Sequence, residues 1–215
     1  MWKWIARWPV KWVKRIIARD ASKPFPSITI ARRFAWTFSR RIAMEKTFNP
    51  KRLASLIEAI CEAYSQALPG GRWAPIFAGD RIFTFCNETV NLVCKRMGYY
   101  DFDIPETPRP DDAKLANQMF NELIATDDWE ETDVTEAQAC ANYGYPVVAA
   151  WKNPNPGFPG HVAIVMPGNL EYSGSWGDMA PKIMNVGKDI FICKKASWAF
   201  RKEAKPRYFV LKKVI

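Results

Sequence analysis

One histidine and one of five cysteines have the sequence features of a general base and its nucleophile. His161 is the single histidine in 215 residues, and it follows Gly160 at the start of an apolar run typical of a buried strand. Cys86 stands directly before an apolar-periodic run, where the start of a helix lowers the pKa of a thiol. A thiol attacks an amide carbonyl as a thiolate, which requires a base within hydrogen-bond distance. We therefore predict that Cys86 is the nucleophile and His161 its base.

The other cysteines indicate neither a metal site nor a disulfide framework. The five cysteines are Cys61, Cys86, Cys94, Cys140 and Cys193. Their number is odd, no two of them form a C-x-x-C pair, and the chain has only one histidine that could complete a ligand set. We therefore expect no metal and no cofactor. Cys94 lies two turns inside the same predicted helix as Cys86, where no helix terminus acts on its thiol.

The elements that must position this pair follow from apolar periodicity. Helical spacing predicts a helix over 86–97, a second over 111–125 and a third near 135–142 with Thr135 as its cap. The apolar run over 145–151 predicts a strand, and the Pro/Gly-rich loop after it is expected to turn the chain back into the strand of His161. The sequence thus predicts an antiparallel pair with a wide, mobile connection over 152–160.

The N-terminal third of the chain carries the excess positive charge. Residues 1–72 contain fifteen Lys/Arg against four Asp/Glu, whereas the rest contains sixteen against eighteen. Within residues 1–20, tryptophans alternate with six basic residues, which suits an anionic membrane interface and equally a helix that packs its Trp face on the protein. We do not expect a nucleic-acid partner, because no recognised module accompanies the segment.

Breaker residues divide the chain into three predicted regions. The basic segment 1–20 is followed by a helical region over 28–70, in which Asn49 precedes Pro50 as an N-cap. Pro69-Gly70-Gly71 marks the predicted boundary of a domain over 71–215. The basic residues interrupt every apolar stretch of the first segment, so we expect synthesis in the cytoplasm without a signal peptide or a spanning helix.

Cysteine ahead of a helix, followed by a strand that opens Gly-His-Val-Ala-Ile-Val, resembles the NlpC/P60 and CHAP group of papain-like cysteine amidohydrolases. The resemblance covers about residues 73–200. Many members are bacterial or phage-encoded cell-wall hydrolases, so it implies an α+β papain-like domain that cleaves amide bonds, with peptidoglycan as the favoured substrate. Release by lysis, carriage in a virion or export as an effector would then bring the enzyme to its substrate.

The resemblance also implies a polar third residue that orients the imidazole from the next strand. The turn Pro167-Gly168-Asn169 predicts a hairpin, which makes Glu171 the expected orienter, with Asn185 in reserve. The group usually shows Gln-Cys or Asp-Cys-Ser where this chain has Phe85-Cys86-Asn87, so the side chain that assists the oxyanion hole in the group is missing from its usual position. For Asn87, a substitute role in the oxyanion hole and a role in capping the helix both stay open. Trp176 lies in a Gly/Ser-rich loop and is expected either to line a substrate groove or to pack.

Two other functions fit the same residues. The fold that the resemblance implies also supports acyl transfer and protein deamidation, because the nucleophile that resolves the thioester depends on the groove. A membrane- or nucleic-acid-binding protein that acts through residues 1–20, with an incidental Cys/His pair, is the alternative from a different class.

Overall fold

The computed structural model describes residues 47–79, 81–103, 114–155 and 157–214. The predictions for residues 1–20 and for the first part of the 28–70 region lie outside these ranges. The helices of the described residues are α1 (Pro50–Ala67), α2 (Cys86–Arg96), α3 (Ala116–Ala125) and α4 (Val134–Asn142). The strands are β1 (Ile76–Ala78), β2 (Arg81–Phe83), β3 (Trp129–Thr132), β4 (Val147–Trp151), β5 (His161–Val165), β6 (Glu171–Ser173), β7 (Asp178–Ala180), β8 (Lys182–Val186), β9 (Ile190–Lys195) and β10 (Arg207–Leu211).

An antiparallel sheet of six strands forms the centre of the molecule. Its order is β3-β10-β4-β5-β8-β9, so the strand of His161 lies between β4 and β8. β1 pairs with β2, and β6 with β7, as separate two-stranded hairpins. The protein is therefore of the α+β class, as predicted, and the antiparallel pairing of β4 with β5 is confirmed. No helix in the described ranges is both long enough and apolar enough to cross a membrane.

Side-chain caps define where two of the helices begin. Asn49 Oδ1 accepts the backbone N–H groups of Lys51 and Arg52 at 3.0 and 3.2 Å, which confirms the predicted start of α1. α4 is capped by Asp133 rather than by Thr135, because the Asp133 carboxylate accepts two backbone N–H groups of the first turn. α3 begins at Ala116 and not at 111; residues 104–113 are outside the described ranges.

Alternation along the strands divides the core between the two faces of the sheet. Val162 and Ile164 of β5 face the side covered by α1, α2 and α3, whereas Ala163 and Val165 face the side covered by α4. Leu56 of α1 belongs to the first of these cores. The boundary predicted at residues 69–71 therefore does not separate two domains, because the helix before it packs in the same core as α2.

A β-bulge distorts the pairing of β8 with β9. Ile183 lies opposite Lys194 and Asn185 opposite Phe191, so two residues of β9 stand opposite one residue of β8. One of those two, Cys193, has φ of 61°. A non-glycine residue in this left-handed region costs about 1–2 kcal/mol, which the surrounding strand pairing must offset.

The shared core predicts that α1 and the sheet unfold together. Replacing Leu56, which is fully buried, by alanine should lower the free energy of unfolding by about 2–5 kcal/mol, because it leaves a cavity under α2. Urea unfolding followed by circular dichroism and by tryptophan fluorescence measures this change. Ser55→Ala, at an exposed neighbouring position, is the control. Two separated transitions, with only the minor one shifted, would mean that α1 is an independent unit.

Candidate active site

The structure brings Cys86 and His161 into direct contact. Cys86 is the first residue of α2, and His161 is the first residue of β5. Cys86 is 7% exposed, and its thiol and the imidazole are close enough for each to shift the pKa of the other. The predicted helix start and the predicted strand therefore meet at one end of the sheet and bring the thiol and the imidazole together.

Asn185 of β8 holds the imidazole by its other nitrogen. The distance between His161 Nε2 and Asn185 Oδ1 is 2.6 Å. Asn185 Nδ2 donates to the carbonyl oxygen of Asp189 at 2.6 Å, and a carbonyl can only accept, so the orientation of the amide is fixed. Oδ1 must then accept from Nε2–H, which leaves Nδ1 of the ring for the thiol.

The register of β5 against β8 explains why Asn185 can reach the ring. Ile164 pairs with Met184 and Val165 with Ile183, so the strands bring Asn185 and Gly187 toward the end of β5 where His161 stands. A Cβ placed on Gly187 would lie 3.3 Å from His161 Cε1 and 3.4 Å from Asn185 Nδ2. A larger residue at this position would therefore press on the hydrogen-bonded ring.

The pKa values of Cys86 and His161 are shifted in opposite directions. Burial acts to raise the pKa of Cys86, but the hydrogen bond and positive charge of His161 and the backbone N–H groups of Val162 and Asn87 outweigh it and lower that pKa. Burial acts to lower the pKa of His161, but the Cys86 charge and the hydrogen bonds that the ring donates to Cys86 and to Asn185 raise it. The arrangement thus favours a thiolate–imidazolium pair. Burial without such partners raises the pKa of Cys94 far above its usual value.

Glu171 does not lie beside His161, so the prediction that Glu171 orients the imidazole from the neighbouring strand is wrong. The turn after β5 leads out of the main sheet: β6 pairs with β7, and the chain returns to β5 only as β8. Glu171 is exposed and forms an ion pair with Lys182, Nζ to Oε1, at 3.2 Å. Asn185, the reserve candidate, occupies the orienting position.

Trp176 is buried and cannot offer its ring to a substrate, so its expected groove-lining role is wrong. It is 4% exposed, and its Nε1 donates to the carbonyl oxygen of Phe200 at 2.9 Å. The Phe200 ring lies 5.0 Å from the His161 ring, at an interplanar angle of 49°. Trp176 thus supports the residue that covers one side of the imidazole.

Asn87 contributes a backbone group to the site, and its side chain does not cap α2. Phe85 is the N-cap residue and makes no side-chain hydrogen bond to the first turn. The Asn87 backbone N–H interacts with the Cys86 thiol, while its Nδ2 lies 3.5 Å from Glu88 Oε1. The side chain's role in an oxyanion hole stays a prediction.

Asn117 of α3 holds the loop that leads into His161, and no pattern in the sequence predicts this contact. Its Nδ2 donates to Phe158 O at 3.0 Å, and its Oδ1 accepts from Asn153 N at 3.1 Å. A Cβ on Gly160 would overlap with Asn117 Oδ1 and with the Trp151 carbonyl. The predicted wide connection is therefore anchored to a helix immediately before His161.

Comparisons with known proteins give no relative from which to transfer a function. A scan against protein-family models finds no match, and a search of curated proteins finds no significant similarity. Within the described ranges, no group of three or more His, Cys, Asp or Glu side chains could hold a metal ion. Function is therefore inferred from the residues of the site.

The two pKa shifts predict that Cys86 is the fastest-reacting thiol at acidic pH. At pH 6, iodoacetamide should modify Cys86 ahead of the other cysteines, as measured by peptide mass spectrometry. Asn185→Ala should slow this reaction, because loss of its hydrogen bond lowers the pKa of His161 and weakens the cation that holds the thiolate. Glu171→Gln should not slow it.

Cys94, which is fully buried, reports in the same experiment on whether each variant is folded. It should stay unmodified throughout. Equal rates at all cysteines in the folded protein, or the same slowing from Glu171→Gln as from Asn185→Ala, would contradict this description of the site.

Proposed function

We propose that this protein is a papain-like cysteine amidohydrolase, similar to the NlpC/P60 and CHAP group, that cleaves amide bonds of peptidoglycan. One observation carries the proposal. Cys86, at the start of α2, lies beside the His161 imidazole, and Nε2 of that ring is hydrogen-bonded to Asn185. Nucleophile, base and orienting group are the three parts that a thiol hydrolase requires.

The reaction follows from the positions of these groups. The Cys86 thiolate attacks the amide carbonyl carbon, and the Cys86 backbone N–H at the helix start stabilises the oxyanion. The His161 imidazolium gives its proton to the leaving nitrogen as the C–N bond breaks, which produces an amine and a thioester. His161, now neutral, takes a proton from water as the water attacks the thioester. Collapse of the tetrahedral intermediate then breaks the C–S bond, which releases the carboxylic acid and restores the Cys86 thiolate beside the His161 imidazolium.

The energetics of the pair favour a chemical role over a structural one. Two charged groups in a largely buried setting are expensive to desolvate, and apolar side chains of similar volume would stabilise the fold at least as well. Titratable groups whose pKa values are pushed in opposite directions by each other cluster at catalytic sites. This supports an enzyme over a binding protein in which the Cys/His pair is incidental.

The substrate and the cellular setting rest on the resemblance. Cell-wall amides are the proposed substrate class, and we propose that residues 1–20 bring the enzyme to an anionic membrane surface through their Trp and basic residues. Analysis of the products separates hydrolysis from the two related reactions. A new carboxylate and amine indicate hydrolysis, a new acyl bond indicates transfer, and ammonia indicates deamidation.

The proposal predicts which substitutions stop catalysis. Cys86→Ala or His161→Ala should lower turnover of purified cell wall by about three or more orders of magnitude, because each breaks the nucleophile–base unit. Asn185→Ala should cost less, since the dyad itself remains, and Glu171→Gln should keep full activity. Mass spectrometry of the released fragments measures the rates. Full activity of Asn185→Ala together with loss in Glu171→Gln would reverse the assignment of the third residue.

The pH dependence of turnover should be bell-shaped, with both limbs displaced. Activity appears as pH rises through the pKa that forms the thiolate, which lies below the usual value for a cysteine. It is lost as pH rises through the pKa of the imidazolium, which lies above the usual value for a histidine. Asn185→Ala should move the alkaline limb to lower pH. An alkaline limb that does not move in this variant would show that Asn185 does not act on the ring.

A further inference from the structure

Trp198 is an exposed aromatic side chain on the segment that covers the imidazole. It ends the 3-10 helix Ala196–Trp198, and it is 63% exposed. Phe200, whose ring contacts His161, follows two residues later and donates its backbone N–H to Ala196 O at 2.9 Å. Consecutive Cα atoms are about 3.8 Å apart, so the Cα of Trp198 is at most about 8 Å from that of Phe200. The chain segment that covers the imidazole with Phe200 therefore also carries an exposed indole ring.

Lys194 places its ammonium group over this ring. Its Nζ lies 4.6 Å from the centre of the Trp198 ring and 5.5 Å from that of Phe191. Such contacts orient a lysine side chain through the negative face of the aromatic ring. Phe191 lies opposite Asn185 in the pairing of β9 with β8. The Lys194 ammonium therefore lies near the strand position of the residue that holds the imidazole.

The bulge at Cys193 explains how Lys194 reaches this position. In a regular strand, residues 191 and 194 point to opposite faces of the sheet. The extra residue in β9, with Cys193 at φ of 61°, breaks the alternation and brings Lys194 onto the side of Phe191. Backbone strain of this kind is found where a fold must aim a particular side chain.

Lys194 pairs with an aromatic ring instead of a carboxylate. Across the residues that the structure describes, the ion pairs nearby join Lys182 to Glu171 and Lys205 to Asp178, and none includes Lys194. Its positive charge is thus available to an anionic group that arrives from solvent, and the attraction weakens as salt screens it.

We propose that Trp198 and Lys194 form a substrate-docking site on the segment that leads to Phe200 and the imidazole, and that this site binds a sugar-linked peptide that carries a free carboxylate. The exposed indole ring packs on the apolar face of a sugar ring, and Lys194 pairs with the carboxylate. The proposal rests on the proposed function, since it names the substrate class of the same site. It also assigns to Trp198 the contact with substrate that the buried Trp176 cannot make.

The test compares two probes with three variants of the full chain. The probes are a soluble disaccharide-peptide from purified cell wall and the same fragment with its carboxyl groups converted to amides. Trp198→Ala should raise KM about tenfold for both probes at unchanged kcat, because it removes a binding contact and no reacting group. Lys194→Met, which keeps the aliphatic stem, should raise KM about tenfold for the carboxylate probe alone.

Lys51→Met, at an exposed position in the first turn of α1, removes the same charge and should leave both values unchanged. If the wild-type protein cleaves the fragments and neither Trp198→Ala nor Lys194→Met changes KM, the docking site is overturned while the proposed function stands. Circular dichroism of each variant confirms that it is folded.

Binding to the inert Cys86→Ala chain separates docking from catalysis. If the wild-type protein cleaves neither probe, the proposed function fails, and calorimetric titration of Cys86→Ala with the carboxylate probe decides the docking site. A Kd that rises about tenfold when Trp198→Ala is added supports docking. Absence of binding, or an unchanged Kd, overturns it.

Discussion

The hydrogen bond between His161 and Asn185 is the interaction on which the site depends. It fixes which ring nitrogen faces Cys86, and it offsets part of the desolvation that would otherwise keep a buried imidazole neutral. Without a charged imidazole, burial would leave Cys86 protonated, as burial does at Cys94. The register of β5 and β8, the absence of a side chain at Gly187 and the carbonyl of Asp189 all serve to keep this one contact in place.

The site lies where the two cores of the protein meet at the end of the sheet. α2 brings Cys86 from the face that it shares with α1 and α3, while Phe200 and its support Trp176 belong to the opposite face. His161, on the strand between them, contacts groups from both. We therefore expect a disturbance of the packing on either face to reach Cys86 and His161.

Local signals in the sequence were sufficient to place Cys86 at the start of a helix and His161 at the start of a strand. The start of α2, the pairing of β4 with β5 and the cap at Asn49 all depend on residues close together in the chain. Asn185 could not be chosen over Glu171, because the choice depends on whether the chain stays in the sheet after β5 or makes the β6–β7 excursion first. The burial of Trp176 and the bulge that orients Lys194 are likewise set by tertiary packing, which no short pattern encodes.

The solitary imidazole makes the protein unusually easy to observe by nuclear magnetic resonance. With one histidine in the chain, isotopic enrichment with ¹⁵N-histidine produces ring signals from a single pair of nitrogens, so these signals need no assignment to a residue. Because Nε2 is bonded to Asn185 and Nδ1 is left for the thiol, the two chemical shifts read separately the orienting contact and the proton that Cys86 shares. The protonation of the whole site can thus be followed in the intact protein, without substrate and without substituting any residue.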